Sequence, residues 1–137
     1  MRLKFTKKER LCSQKLINQL FVEGKGLYYF PFRLVYSLTE KKEENTPVQI
    51  VISVPKRNHK HAVKRNILKR RIREAYRKKK HRFYANLPLG CTINLMLIYV
   101  SSTISTYGEI ESKLIPALDI LVKRVEKDFN ISIRPID

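Results

Sequence analysis

The hydrophobic and polar positions of the chain follow two periods, one typical of β-strands and one typical of α-helices. Dense or alternating apolar residues over 27–38, 48–54 and 92–100 predict strands. Pro31 interrupts the first of these segments, so we expect a short strand, a break, and a second strand from Phe32 to Leu38. The segment 92–100 is apolar at nearly every position, which favours a central strand covered on both faces.

Apolar residues at helical spacing predict a first and a last helix. The first extends from Ser13, a candidate cap, to about Val22. A capping-box pattern at residues 106–109 opens the last helix, which we expect to reach about Lys127. Pro116 lies inside that pattern and should kink the helix or delay its start.

A third helix, over residues 61–82, separates apolar and cationic side chains onto opposite sides. Its apolar side consists of Leu68, Ile72, Ala75 and Tyr76. Its other side consists of Asn66, Arg70, Arg73 and Arg77, with Lys69 and Lys80 at the flank. Glu74 is the only acid in the segment, so the cations repel one another unless an anion neutralises them. Because guanidinium groups match phosphate oxygens bidentately, this side favours RNA or DNA over an ordinary solvated surface.

The order of elements, α-β-β-β-α-β-α, predicts an α+β fold with helices packed on one mixed four-stranded sheet, an α/β sandwich. At 137 residues the chain is long enough for a single domain with a modest core. We expect this domain to span residues 1–137, with residues 1–7 and 129–137 as loose tails.

The charge is large and concentrated in one region. The formal net charge is +17, and residues 55–82 hold 14 of the 29 lysines and arginines, which favours a polyanionic partner. We expect no membrane partner, because no stretch approaches the roughly 20 apolar residues of a membrane helix. Without an apolar export signal at the N-terminus, Cys12 and Cys91 are expected to be free thiols in the cytoplasm.

The sequence offers little to support catalysis by its own side chains. The three histidines have no cysteine or carboxylate at ligand spacing, so we predict no metal site; they are His59, His61 and His81. Phosphate-binding glycine motifs are missing. The acids are not clustered as two-metal nuclease chemistry requires, so no residue is predicted to be catalytic.

Aromatic residues near the cationic helix could stack unpaired bases. Phe32 and Tyr36 fall on one face of their predicted strand, where they either fill the core or form a stacking platform. Ile17 and Phe21, on the first helix, could instead form a wall of a cleft against the sheet. The sequence leaves both alternatives open.

The segment 62–73, AVKRNILKRRIR, resembles the protein subunit of bacterial ribonuclease P, with Ser53–Arg57 as a similar strand end leading into it. The resemblance covers most of residues 8–128. It implies a left-handed crossover between the strands on either side of the central helix, against the usual right-handed rule. It also implies a protein that holds a catalytic RNA and the 5′ leader of precursor tRNA together, while the RNA, with Mg²⁺ held mainly by the RNA and substrate, performs the cleavage.

The resemblance also assigns residues to two sites. The RNA-binding residues are Arg65, Asn66, Lys69, Arg70 and Arg73, to which we add the neighbouring Lys56, Arg57, Lys64 and Arg77. The leader-binding cleft is assigned to Ile17, Phe21, Val35 and Ser53, with Phe32 and Tyr36 as further candidates. Ile67 stands where the family usually has arginine, so one interaction with RNA is either absent or taken over by Arg71.

Two other functions fit parts of this pattern. A ribosomal or RNA-chaperone type of binding protein, with no role in cleavage, would have the same composition. A nuclease that cuts RNA by itself would need carboxylates that the sequence does not supply.

Overall fold

Four strands form one sheet, and three helices cover its two faces. The computed structural model describes residues 9–11, 14–40, 47–87 and 91–133. The elements are α1 (Gln14–Glu23), β1 (Lys25–Tyr29), β2 (Phe32–Glu40), β3 (Val48–Ser53), α2 (Ala62–Ala85), β4 (Cys91–Tyr99) and α3 (Tyr107–Ile133). This order confirms the predicted one. Ser13, Cys12 and the tail 1–7 lie outside the described residues.

The sheet is mixed, as predicted, with the strand order β1-β2-β4-β3. β1 and β2 pair antiparallel around the break at Pro31, β2 and β4 are also antiparallel, and β3 and β4 are parallel. The long connection that contains α2 therefore joins two adjacent parallel strands. The left hand of this crossover stays a prediction.

Side chains alternate between two cores on the two faces of the sheet. On one face, β2 buries Phe32, Leu34 and Tyr36 in a core that includes the predicted apolar side of α2 and residues of α3. On the other face, Val35 and Met96 pack with Leu20 of α1. β4 contributes to both cores, which confirms the central strand predicted from its continuous apolar sequence.

The helix α2 is longer than predicted. It continues to Ala85, three residues beyond the predicted end at residue 82. Phe83 explains the extension, because it is buried and its ring lies edge-on to that of Tyr76, 6.2 Å between centroids.

The helix α3 begins where the capping box predicts, and Pro116 does not delay its start. The backbone N–H of Glu109 donates to Thr106 Oγ1 at 3.2 Å, and the N–H of Thr106 donates to Glu109 Oε1 at 3.1 Å. The hydrogen bonds from Thr106 also lower the pKa of Glu109. The helix includes Pro116 and extends to Ile133, so residues 129–133 are helical where we expected a loose tail.

Gly24 allows α1 to lie close to the sheet. A Cβ at this position would lie 2.5 Å from Leu20 O and 2.5 Å from Val35 Cγ1. We expect Gly24→Ala to lower the free energy of unfolding by about 1–3 kcal/mol, because the backbone oxygen cannot move without displacing the helix. Urea denaturation would measure the change. Gly108→Ala is the control: a Cβ there meets nothing within 4 Å, and a loss of stability as large as at position 24 would contradict this explanation.

Candidate nucleic-acid interface

The outer side of α2 forms a shallow, open groove. Because the helix turns Leu68 and Ile72 into the core, the residues on its opposite side face solvent. The groove is lined by Val63, Asn66, Ile67, Lys69, Arg70 and Arg73. The structure therefore brings together four of the residues predicted to bind RNA, on one rigid helix.

Arg65, a further predicted RNA contact, has a structural role at the start of α2. One of its terminal guanidinium nitrogens, Nη1, donates to the carbonyl oxygens of His59 at 2.9 Å and Lys60 at 2.8 Å. Arg65 thus fixes the loop before α2, and its direct contact with RNA stays a prediction. This loop carries Lys56 and Arg57, which are exposed.

The same loop is attached to the end of β4 by two side chains that the sequence did not single out for this role. His59 is buried, and its Nε2 donates to the carbonyl oxygen of Ser101 at 2.8 Å. Asn58 Nδ2 donates to the carbonyl oxygen of Val100 at 3.1 Å. The predicted RNA-binding cations of the loop are therefore held by a fixed backbone, as is the exposed Lys64 at the start of α2.

The positive charge of Arg77 is partly neutralised by an acid of its own helix. Its Nε donates to Glu74 Oε2 at 3.0 Å, and a second guanidinium nitrogen contacts the other carboxylate oxygen. The hydrogen bond from Arg77 lowers the pKa of Glu74. Arg77 as an RNA contact stays a prediction, but Glu74 neutralises part of the field it would present to phosphate.

Lys80 does not lie at the flank of the cationic side, so that prediction was wrong. The residue is buried, at 5% exposure, and its Nζ donates to Glu9 Oε1 at 2.8 Å. Residues 9–11 lie beside the edge of β3, where the N–H of Leu11 donates to Ile50 O at 2.8 Å. This segment covers the flank of α2 from which Lys80 was expected to reach solvent.

A buried hydrogen-bond network surrounds the Lys80–Glu9 ion pair. Tyr84 donates its hydroxyl to Glu9 Oε2 at 2.5 Å, and the hydroxyls of Tyr84 and Tyr76 lie 3.0 Å apart. Burial raises the pKa of both tyrosines above the usual range, so both stay protonated. Sequence patterns gave no signal for this network, because Glu9 lies about 70 residues from its partners.

Ile67, which stands where the family usually has arginine, lies in the groove. Arg71 does not take its place there, because its Nη1 donates to the carbonyl oxygen of Ser105 at 2.6 Å. Arg71 is thus directed to the loop before α3, and the alternative that it takes over the contact of Ile67 is not supported.

Part of the predicted cleft lies on the sheet face that α1 covers. Ile17 packs against the core that contains Val35, and strand alternation places Ser53 on the same face. Phe21 is 67% exposed, so its ring is available to a ligand. The register of β1 and β2 adds Tyr28 to this face, an exposed aromatic that the sequence could not assign.

Phe32 and Tyr36 do not line the cleft, and their assignment to it was wrong. They are 0% and 1% exposed and lie in the opposite core, under α2 and α3. Phe32 packs edge-on against Tyr99, with ring centroids 6.0 Å apart. Tyr36 donates its hydroxyl to Asp128 Oδ2 at 2.6 Å, and Lys25 Nζ lies 3.1 Å from the same oxygen.

Among residues 9–11, 14–40, 47–87 and 91–133, no three histidines, cysteines or carboxylates come together to hold a metal ion. Within that same part of the chain, no helix has the length and apolar character needed to cross a membrane.

Comparison with known proteins points to one family. The family model described as Ribonuclease P matches residues 5–120. A ribonuclease P protein component of Porphyromonas gingivalis is 42% identical over 76 residues, 56% of this chain and 55% of that protein. One from Chlorobium phaeobacteroides is 41% identical over 80 residues, 57% of this chain and 55% of that protein. The chain thus spans about half the length of the curated relatives it matches.

Solved structures show the same fold. An RNase P protein mutant from Staphylococcus aureus superposes with a TM-score of 0.65 at 22% identity, over 84% of this chain and 89% of that one. The RNase P protein from Thermotoga maritima gives 0.61 at 23% identity, over 80% and 94%. The mixed sheet and three helices are therefore the fold of these proteins.

Proposed function

Because the chain belongs to the ribonuclease P protein family, we propose that it is the protein subunit of that ribonucleoprotein. In this role it binds the catalytic RNA and the 5′ leader of precursor tRNA, and so assists removal of the leader. The observation that carries the proposal is the groove on α2, where Asn66, Lys69, Arg70 and Arg73 lie together on one rigid element.

The groove has the properties of a surface that binds a phosphate backbone. Arg70 and Arg73 are exposed and lie on the same side of the helix. Their planar guanidinium groups can each donate two parallel hydrogen bonds to phosphate oxygens. The attached loop adds Lys56 and Arg57 at the start of the helix, which lengthens the cationic surface. This surface is the proposed contact with the catalytic RNA.

The second proposed contact is with the leader, and it lies on the other face of the sheet. A single strand can stack its bases on exposed aromatic rings, which contributes roughly 1–3 kcal/mol per base. Phe21 and Tyr28 are such rings, and Arg33, opposite Tyr28 in the register of β1 and β2, is an exposed cation on the same face. The leader would thus meet both stacking surfaces and a phosphate partner.

Catalysis in this proposal belongs to the RNA partner. Mg²⁺, held mainly by that RNA and the substrate, would activate water and stabilise the leaving oxygen during phosphodiester hydrolysis. The described residues of the protein contribute binding and orientation, which lower the Mg²⁺ concentration that the complex needs.

The test is cleavage of precursor tRNA by a bacterial ribonuclease P RNA at low Mg²⁺, with and without the protein. We expect the protein to increase the cleavage rate. A protein that binds RNA but gives no increase would be an RNA-chaperone or ribosomal type of binder, and the proposal would be wrong. Incubation of the substrate with protein alone is the control, since cleavage there would identify a self-sufficient nuclease.

A further inference from the structure

The groove on α2 contains two apolar side chains among its cations. Val63 is 71% exposed, and Ile67 lines the groove one helical turn later. Single exposed apolar residues are ordinary on protein surfaces. These two are neighbours at i and i+4, however, and the cations Lys69, Arg70 and Arg73 form the rest of the lining. The groove therefore offers an apolar surface and a phosphate-binding rim together.

A duplex backbone would use only the rim, because its phosphates and sugars have no flat apolar group to place on Val63 and Ile67. An unstacked nucleobase would use both parts: its face packs on the aliphatic side chains while its flanking phosphates meet the guanidinium groups. The open space along the groove is about 420 Å³, enough to admit a nucleobase.

Asn66 indicates which base would fit. Its carboxamide has one donor and one acceptor side by side, the pattern that pairs with N7 and the N6 amino group of adenine. Arginine would read guanine in a similar way. In this groove, however, Arg70 and Arg73 are the groups suited to the flanking phosphates, which leaves Asn66 for the base edge.

We propose that this groove holds an unpaired adenine of the ribonuclease P RNA. The base lies against Val63 and Ile67, its edge meets Asn66, and its flanking phosphates meet Arg70 and Arg73. The proposal rests on the proposed function, since it takes that RNA as the partner.

The test uses ribonuclease P RNA in which 7-deazaadenosine, marked by a phosphorothioate, replaces adenosine at random positions. Protein-bound RNA is separated from free RNA, and iodine cleavage maps the modified positions in each fraction. With the unchanged protein we expect 7-deazaadenosine to be excluded from the bound fraction at one or a few unpaired adenosines, because it lacks the N7 acceptor. With Asn66→Ala we expect this exclusion to disappear and the affinity to fall about tenfold.

Two controls separate the apolar part of the groove from its charge. Phosphorothioate-marked unmodified adenosine corrects for effects of the sulfur. Ile67→Ala should weaken binding several-fold and leave the salt dependence unchanged, since it removes no charge. Circular dichroism of both variants checks that the fold is intact.

The adenine site is wrong if 7-deazaadenosine is never excluded, or if the exclusion is the same with Asn66→Ala. Exclusion of 7-deazaguanosine alone would also overturn it, in favour of a guanine read by arginine. Failure of the unchanged protein to bind the RNA, or to increase cleavage, would instead reject the proposed function. Binding and increased cleavage without any effect of 7-deazaadenosine reject the adenine site alone.

Discussion

Replacement of Glu9 by alanine is expected to lower the free energy of unfolding by about 3–5 kcal/mol. Glu9 and Lys80 form an ion pair at 2.8 Å with side-chain exposures of only 8% and 7%. Removal of the carboxylate takes from the buried ammonium group of Lys80 the counter-charge that lies 2.8 Å away. It also removes the charged acceptor of the Tyr84 hydroxyl, and the Tyr76 hydroxyl 3.0 Å away can replace it only with a weaker hydrogen bond between neutral groups.

The measurement is urea denaturation of the Glu9→Ala variant, with the double variant Glu9→Ala, Lys80→Met beside it. If the loss comes from the uncompensated charge, the added Lys80→Met substitution should recover much of it. The control is Arg82→Ala, which breaks the exposed ion pair of Arg82 with Asp119, whose side-chain exposures are 64% and 46%. That pair also joins two elements of the fold, but at such exposure we expect a loss below about 1 kcal/mol. Equal losses from Glu9→Ala and Arg82→Ala would contradict the burial argument.

The order and type of the elements could be predicted because they depend on local periodicity. The alternating apolar residues of β2 and the i, i+4, i+7 stripe of α2 are visible in the sequence, and the structure confirms both. The capping box at Thr106 and Glu109 is equally local, since its two hydrogen bonds span three residues. Local patterns thus determined most of the fold.

Features set by distant partners could not be predicted. Periodicity places Phe32 and Tyr36 on one face of β2, but it does not say which helices cover that face. Helical periodicity placed Lys80 near the surface. Its burial depends on Glu9, a residue before α1 that meets α2 only because residues 9–11 lie beside β3 in the folded protein. Strand alternation assigns residues to one face of the sheet, but packing between distant elements decides which helices cover that face.

The candidate RNA interface likewise has one part that local periodicity predicts and another that depends on distant residues. Asn66, Lys69, Arg70 and Arg73 share a groove because helical spacing alone puts them there. Arg65 and Arg71 have the same residue type and lie on the same helix, but each donates to carbonyl oxygens of a neighbouring loop. Residue type in a basic run therefore does not show which arginines also stabilise a neighbouring loop, because that depends on the loop conformation.

The double substitution of Arg70 and Arg73 by alanine is expected to give the largest loss of RNA binding. Both side chains are exposed in the groove, so their removal should not disturb the core. Hydrogen bonds to charged groups contribute roughly 1.5–3 kcal/mol each, so the pair should account for about 3 kcal/mol or more, a hundredfold or more in Kd. The slope of log K against log salt concentration should also become shallower by roughly two, because each arginine neutralises one phosphate.

The matched control removes the same charge elsewhere. Lys113 and Lys123 are exposed on α3, and the double variant Lys113→Ala, Lys123→Ala has the same net charge as the arginine variant. Titration of labelled ribonuclease P RNA at several salt concentrations compares the two. If the overall field of the protein alone attracts RNA, both variants lose affinity and slope equally, and the groove on α2 does not bind the phosphates. A loss confined to the arginine variant locates the phosphates at α2, because location is then the main difference between the two proteins.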